Sequence, residues 1–81
     1  MIVEDDLVIA SSLQEELTKW QYNAFYVTDF NHVLDTFNRE MPQLVLMDIK
    51  LPYFNGYYWC TELRKISQVP IIFISSQSER M

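Results

Sequence analysis

Two uninterrupted apolar runs mark the interior of this chain, and a proline precedes each of them. The first run covers residues 44–47 and follows Pro42, and the second covers residues 71–74 directly after Pro70. Continuous apolar runs of this length are typical of parallel strands buried on both faces. Proline is tolerated as the first residue of a strand, so Pro70 fits this prediction. The pattern therefore predicts two buried parallel strands.

Three other stretches carry apolar residues at the spacing of one helix face. The first covers residues 7–20, the second follows Asp29, and the third covers residues 57–66. Their predicted buried stripes are Ile9, Leu13, Leu17 and Trp20; Val33, Leu34 and Phe37; and Trp59, Cys60, Leu63 and Ile66. We expect Asp6 and Asp29 to cap the first and second helices, because a carboxylate before a helix accepts hydrogen bonds from its free amides.

Two shorter apolar segments complete the predicted order of elements. Ile2 and Val3 are predicted to form the end of a first strand, and residues 24–27 are predicted to form a short second strand. Strands and helices then alternate, which predicts an α/β fold with a doubly wound parallel sheet and right-handed crossovers. No helix follows the last predicted strand to cover it, so we expect residues 1–81 to form one domain that is incomplete at its C-terminus.

Acidic residues follow two of the predicted strands. Glu4 and Asp5 come directly after the first strand, and Asp48 comes directly after residues 44–47. If these strands are neighbours in a parallel sheet, their carboxylates converge at its C-terminal edge, where open α/β sheets bind ligands. Crowded carboxylates repel one another, so a cation is expected between them. Oxygen ligands of this kind favour Mg²⁺.

Composition excludes several classes of function. The 81 residues are 49% hydrophobic and 15% aromatic, which is too apolar for a disordered chain. A net charge of −5 argues against binding nucleic acid through this segment. One cysteine excludes a disulfide framework or a cysteine-based zinc site. The apolar runs are far shorter than a membrane span, and no secretion signal is evident, so we expect a cytoplasmic protein without a membrane partner.

Polar and turn residues recur at spacings that resemble a bacterial response-regulator receiver domain. The matching residues are Glu4, Asp5, Asp48, Lys50, Pro52, Gly56 and Ser75. The resemblance implies a flavodoxin-like sheet of strand order 2-1-3-4-5, of which this chain is expected to contain 2-1-3-4, without the fifth strand and the last two helices. Residues 51–60 are also similar to regulators that respond to bacitracin and other antimicrobial peptides, which belong to the winged-helix DNA-binding class.

The resemblance implies a role for each matching side chain at the acidic edge. Asp48 is the expected phosphoacceptor, and Ser75 is expected to hydrogen-bond the phosphoryl group and to act as the switch. The expected Mg²⁺ ligands are Asp5, Asp48, the backbone carbonyl of Lys50, and Glu4 through water. The implied partner is a sensor histidine kinase, and the implied output is transcription regulation through a DNA-binding effector domain beyond this segment. Such a domain is not an enzyme, except in catalysing its own phosphotransfer and dephosphorylation.

Two other functions stay open from the sequence. A pseudo-receiver has the same fold but acts as a protein-interaction module with an unused pocket. An aspartate-nucleophile phosphatase of the haloacid-dehalogenase type is less favoured, because it requires a second acid where this chain has Lys50. The family's phosphoryl-binding lysine and aromatic switch residue belong to the fifth strand, which we expect these 81 residues to lack. Without that strand, we expect residues 71–74 to form an apolar edge and to mediate self-association.

Overall fold

A computed structural model describes residues 1–74 of the chain, and Ser75 lies outside the described residues. The described part contains three strands and three helices. They follow one another as β1 (Ile2–Val3), α1 (Leu7–Lys19), α2 (Val33–Glu40), β2 (Val45–Asp48), α3 (Gly56–Arg64) and β3 (Ile71–Ile74). The strands form one parallel sheet of order β1-β2-β3, which confirms the predicted α/β class.

The predicted strand at residues 24–27 is shortened to a single parallel bridge between Ile2 and Tyr26. The amide of Ile2 donates to the carbonyl of Phe25 at 2.9 Å, and the amide of Val27 donates to the carbonyl of Ile2 at 2.9 Å. The segment therefore lies beside β1, on the side away from β2, as the predicted strand order requires. Its length was overestimated, because β1 itself offers only two residues for pairing.

The main hydrophobic core lies on one face of β2. Val45 and Met47 are fully buried on this face, whereas Leu46, which points to the opposite face, is half-buried. Burial of β2 is therefore complete on one face and partial on the other, where Leu46 is half-buried and Asp48 is 1% exposed. The core side chains come from all three strands or their flanks and from α2 and α3, and include Val3, Val27, Val33, Phe37, Trp59, Leu63 and Val69.

β3 lies at the edge of the described sheet and is only partly covered. Ile72 is 52% exposed and Phe73 is 38% exposed, so β3 is not the buried strand that its apolar run predicts, and it forms an apolar edge within the sheet of residues 1–74. Trp20 and Ile66, which were predicted to be buried, are exposed because each follows the last turn of its helix. No helix within residues 1–74 is long and apolar enough to cross a membrane.

The predicted helix cap is confirmed for α1 but is wrong for α2. The carboxylate of Asp6 accepts hydrogen bonds from the amides of Val8 and Ile9 at 3.0 and 3.3 Å, as predicted for the cap of α1. Asp29 does not cap α2, because it lies too far before the first helical residue. Its carboxylate instead binds the amide of Asn31 at 3.1 Å and the ring of His32 at 2.9 Å, which closes the turn that leads into the helix.

Candidate metal centre

Three carboxylates meet at the C-terminal edge of the sheet. Val3 of β1 pairs with Met47 of β2, so the residues that follow them, Glu4 and Asp48, emerge next to each other. One oxygen each from Glu4, Asp5 and Asp48 lies within 4.8 Å of the others. The strand register thus brings together the three acids that the sequence placed at this edge.

The three carboxylates differ sharply in exposure. Glu4 and Asp48 are each 1% exposed, whereas Asp5 is open to solvent. A backbone amide holds each buried carboxylate: Asp6 donates to Oε2 of Glu4 at 2.9 Å, and Ile49 donates to Oδ1 of Asp48 at 2.8 Å. Two buried anions at this separation carry a large desolvation and repulsion cost, which a bound cation offsets. The cluster therefore has the charge, the donor atoms and the one-sided access of a cation site.

The loop after Asp48 is closed by a tight contact with the first residue of α3. The amide of Gly56 donates to the carbonyl of Ile49 at 2.8 Å. A Cβ atom at Gly56 would lie 2.2 Å from the carbonyl oxygen of Asp48, far inside van der Waals contact. Only glycine fits this position. The loop that contains Lys50 is thereby fixed at both ends, and the Lys50 side chain itself is exposed.

Sequence reasoning placed Trp59 in the buried stripe of α3, as observed, but did not predict that Phe54 packs against the start of this helix. Phe54 stacks on Tyr58 with ring centroids 4.3 Å apart and meets the edge of Trp59 at 5.6 Å. Asn55 caps the helix by accepting from the amide of Tyr58 at 2.9 Å. The available signal was the position of Phe54 directly before the cap residue Asn55, because an apolar residue there often packs against one in the first turns of the helix. These contacts anchor the loop that follows Asp48 onto α3.

Comparison with known proteins decides the family. The model for the response regulator receiver domain matches residues 1–81. The chain belongs to the response-regulator receiver family. Among curated relatives, this receiver is 42% identical over 81 residues to response regulator protein GraR of Staphylococcus epidermidis and 41% identical to that of Staphylococcus aureus. It is covered completely by these matches and spans 36% of the length of each relative.

Two solved structures agree with the receiver fold over 99% of this chain. The N-terminal domain of the nisin resistance regulator NsrR, a lantibiotic response regulator, is 49% identical with a TM-score of 0.85, and the match covers 68% of that chain. The BeF3-activated receiver domain of Klebsiella pneumoniae RstA is 31% identical with a TM-score of 0.88, also over 68% of that chain. The predicted receiver fold is confirmed, as is the similarity to regulators of antimicrobial-peptide response.

Proposed function

We propose that this receiver accepts a phosphoryl group on Asp48 in a Mg²⁺-dependent reaction. The observation that carries the proposal is the cluster of Glu4, Asp5 and Asp48, whose oxygens lie within 4.8 Å of one another at the end of two paired strands. The family match over residues 1–81 supports it independently. In this proposal residues 1–81 act as the phosphoacceptor domain of a longer regulator.

The donor atoms of the cluster suit Mg²⁺. All three are carboxylate oxygens, the hard ligands that Mg²⁺ prefers, and the exposed Asp5 leaves room for the waters that this ion retains. We assign Asp5, Asp48 and the backbone carbonyl of Lys50 as direct ligands, and Glu4 as a ligand through water. When bound, Mg²⁺ supplies positive charge that lets an anionic phosphoryl group approach an anionic nucleophile.

Asp48 is suited to be the nucleophile by its position and its hydrogen bond. An oxygen of its carboxylate forms a bond to phosphorus while the bond from phosphorus to the donor's imidazole nitrogen breaks, and the bonding electrons leave with that nitrogen. A carboxylate needs no general base for this step. The amide of Ile49 orients the carboxylate by donating to Oδ1 at 2.8 Å, which reduces the number of orientations it must lose before reaction.

The donor in this proposal is a phosphohistidine on a sensor histidine kinase. Ser75 is proposed to hydrogen-bond a phosphoryl oxygen and to report phosphorylation, a role supported by its place in the family pattern directly after β3. The output is transcription regulation through a DNA-binding effector domain in the longer protein. Lys50 occupies the position where an aspartate-nucleophile phosphatase requires an acid, which argues against that alternative.

Intact-mass spectrometry after incubation with phosphoramidate tests the proposal. The expected result is a phosphoryl adduct that requires Mg²⁺ and is absent from the Asp48→Asn variant. Glu15→Gln, which neutralises an exposed acid on α1, is the matched control and should be phosphorylated normally. A folded protein that forms no adduct, or an adduct that persists in Asp48→Asn, would refute the assignment. The first of these outcomes is the one expected of a pseudo-receiver.

A further inference from the structure

The peptide unit between Asp48 and Ile49 is held from both sides. Its amide, which belongs to Ile49, donates to the Asp48 carboxylate at 2.8 Å. Its carbonyl, which belongs to Asp48, lies against the Cα of Gly56, where any Cβ would approach to 2.2 Å. The next carbonyl, that of Ile49, accepts from the amide of Gly56 at 2.8 Å. Gly56 therefore contacts two successive carbonyl groups, and the third in the series belongs to Lys50.

Asn55 holds Gly56 in this position. Its side chain caps α3 by accepting from the amide of Tyr58 at 2.9 Å, which fixes the first turn of the helix. α3 is in turn fixed to the core by Trp59 and Leu63, which are 4% and 0% exposed. The backbone that connects two of the proposed metal ligands, Asp48 and Lys50, is thus attached to a rigid element.

Rigidity of this kind matters more for Mg²⁺ than for Ca²⁺. Mg²⁺ demands near-ideal octahedral geometry with ligands at about 2.0–2.1 Å, whereas Ca²⁺ accepts flexible geometry at about 2.3–2.6 Å. A small displacement of a carbonyl ligand is therefore expected to weaken Mg²⁺ binding more than Ca²⁺ binding. Residues outside the ligand set that orient the ligands change metal affinity by roughly 10–100-fold when they are mutated.

We propose that Gly56, held by the helix cap Asn55, is a positioning residue whose restraint of the loop after Asp48 favours Mg²⁺ over Ca²⁺ at this site. The inference rests on the proposed function, because it takes the Asp48 carboxylate and the Lys50 carbonyl as ligands. Gly56 itself binds no metal. It acts by keeping the backbone that links those two ligands in one conformation.

The test is calorimetric titration of the native chain and three variants with MgCl₂ and with CaCl₂. Circular dichroism first establishes that each protein is folded. Gly56→Ala forces the backbone contact apart. Asn55→Ala removes the cap without adding an atom, so it tests the proposal even if Gly56→Ala fails to fold. Leu63→Ala is the control, because it destabilises α3 from the core side, away from the loop.

Gly56→Ala is expected to weaken Mg²⁺ binding by about tenfold and Ca²⁺ binding by clearly less, so the ratio of the two affinities shifts toward Ca²⁺. Asn55→Ala is expected to shift this ratio in the same direction by a smaller factor. An unchanged ratio in both variants would overturn the inference, as would an equal change in Leu63→Ala. If the native chain itself binds no Mg²⁺, the proposed function fails and this inference fails with it. Binding by the native chain with an unchanged ratio in the variants refutes the inference alone.

Discussion

Neutralising Asp48 should stabilise the metal-free protein. Glu4 and Asp48 are both buried, and the oxygens of the acidic cluster lie within 4.8 Å of one another. At that distance, and with an effective dielectric constant of about 20, two unit charges repel by roughly 3.5 kcal/mol. Asp48→Asn removes this repulsion and keeps the shape of the side chain. It also replaces a charged acceptor of the Ile49 amide by a neutral one, which costs about 1 kcal/mol.

The net expectation is that Asp48→Asn raises the free energy of unfolding by about 2.5 kcal/mol in EDTA. Urea titration followed by circular dichroism measures this difference directly. Mg²⁺ should then cancel this difference in stability, because it binds the native site. A concentration one hundred times the Kd stabilises the native chain by about 2.7 kcal/mol and leaves the variant nearly unchanged.

The matched control is Glu15→Gln, which removes the same charge from an exposed site on α1. It should change the unfolding free energy in EDTA by well under 1 kcal/mol, because solvent screens exposed charges. The reasoning is refuted if Asp48→Asn is no more stable than the native chain in EDTA. It is also refuted if Glu15→Gln gives the same increase, since the effect would then come from the net charge of −5 and not from the cluster.

Three further predictions follow from contacts outside the cluster. The hydrogen bond to the Asp29 carboxylate raises the pKa of His32 above its usual 6.5. The pair therefore stabilises the fold below pH 6.5, and that contribution is lost as pH rises through the higher pKa of the folded state. An NMR titration of this single histidine should show the raised pKa, and Asp29→Asn should lower it. Asp6→Ala should lower the unfolding free energy by about 1 kcal/mol in urea titration, because α1 loses its cap, and an unchanged value would contradict this. A polypeptide of these 81 residues should self-associate through the exposed Ile72 and Phe73. Light scattering should detect oligomers, and Phe73→Lys should reduce their amount. A stable native monomer at micromolar concentration would contradict this prediction.

The parts of the fold that were predictable from sequence are those that depend on local pattern. The apolar run at residues 44–47 marked the central strand, and the helical spacing of Trp59 and Leu63 marked the buried face of α3. Asp48 could be placed at the sheet edge because parallel strands end on the same side. The strand and the helix face depend on residues within a few positions in the chain, and the place of Asp48 required only the general rule for parallel strands in addition.

What could not be predicted depends on distances between elements. The contact of Gly56 with the Asp48 carbonyl joins the end of β2 to the start of α3. The spacing of residues in the sequence does not reveal that a Cβ atom at position 56 would lie 2.2 Å from this carbonyl oxygen. The burial of Glu4 and the exposure of Asp5 depend equally on how α1 leaves the sheet. The length of the segment at Tyr26 depends on its partner strand, which is only two residues long.

The two tryptophans give this protein a native optical reporter of its acidic edge. Trp20 is 72% exposed at the end of α1, so its emission should be red-shifted and readily quenched by iodide. Trp59 is 4% exposed and meets the ring of Phe54, which belongs to the loop after Asp48. Its emission should be blue-shifted and protected from iodide. Quenching Trp20 therefore isolates the signal of Trp59, and a change in that signal on adding a cation would report movement of the loop after Asp48.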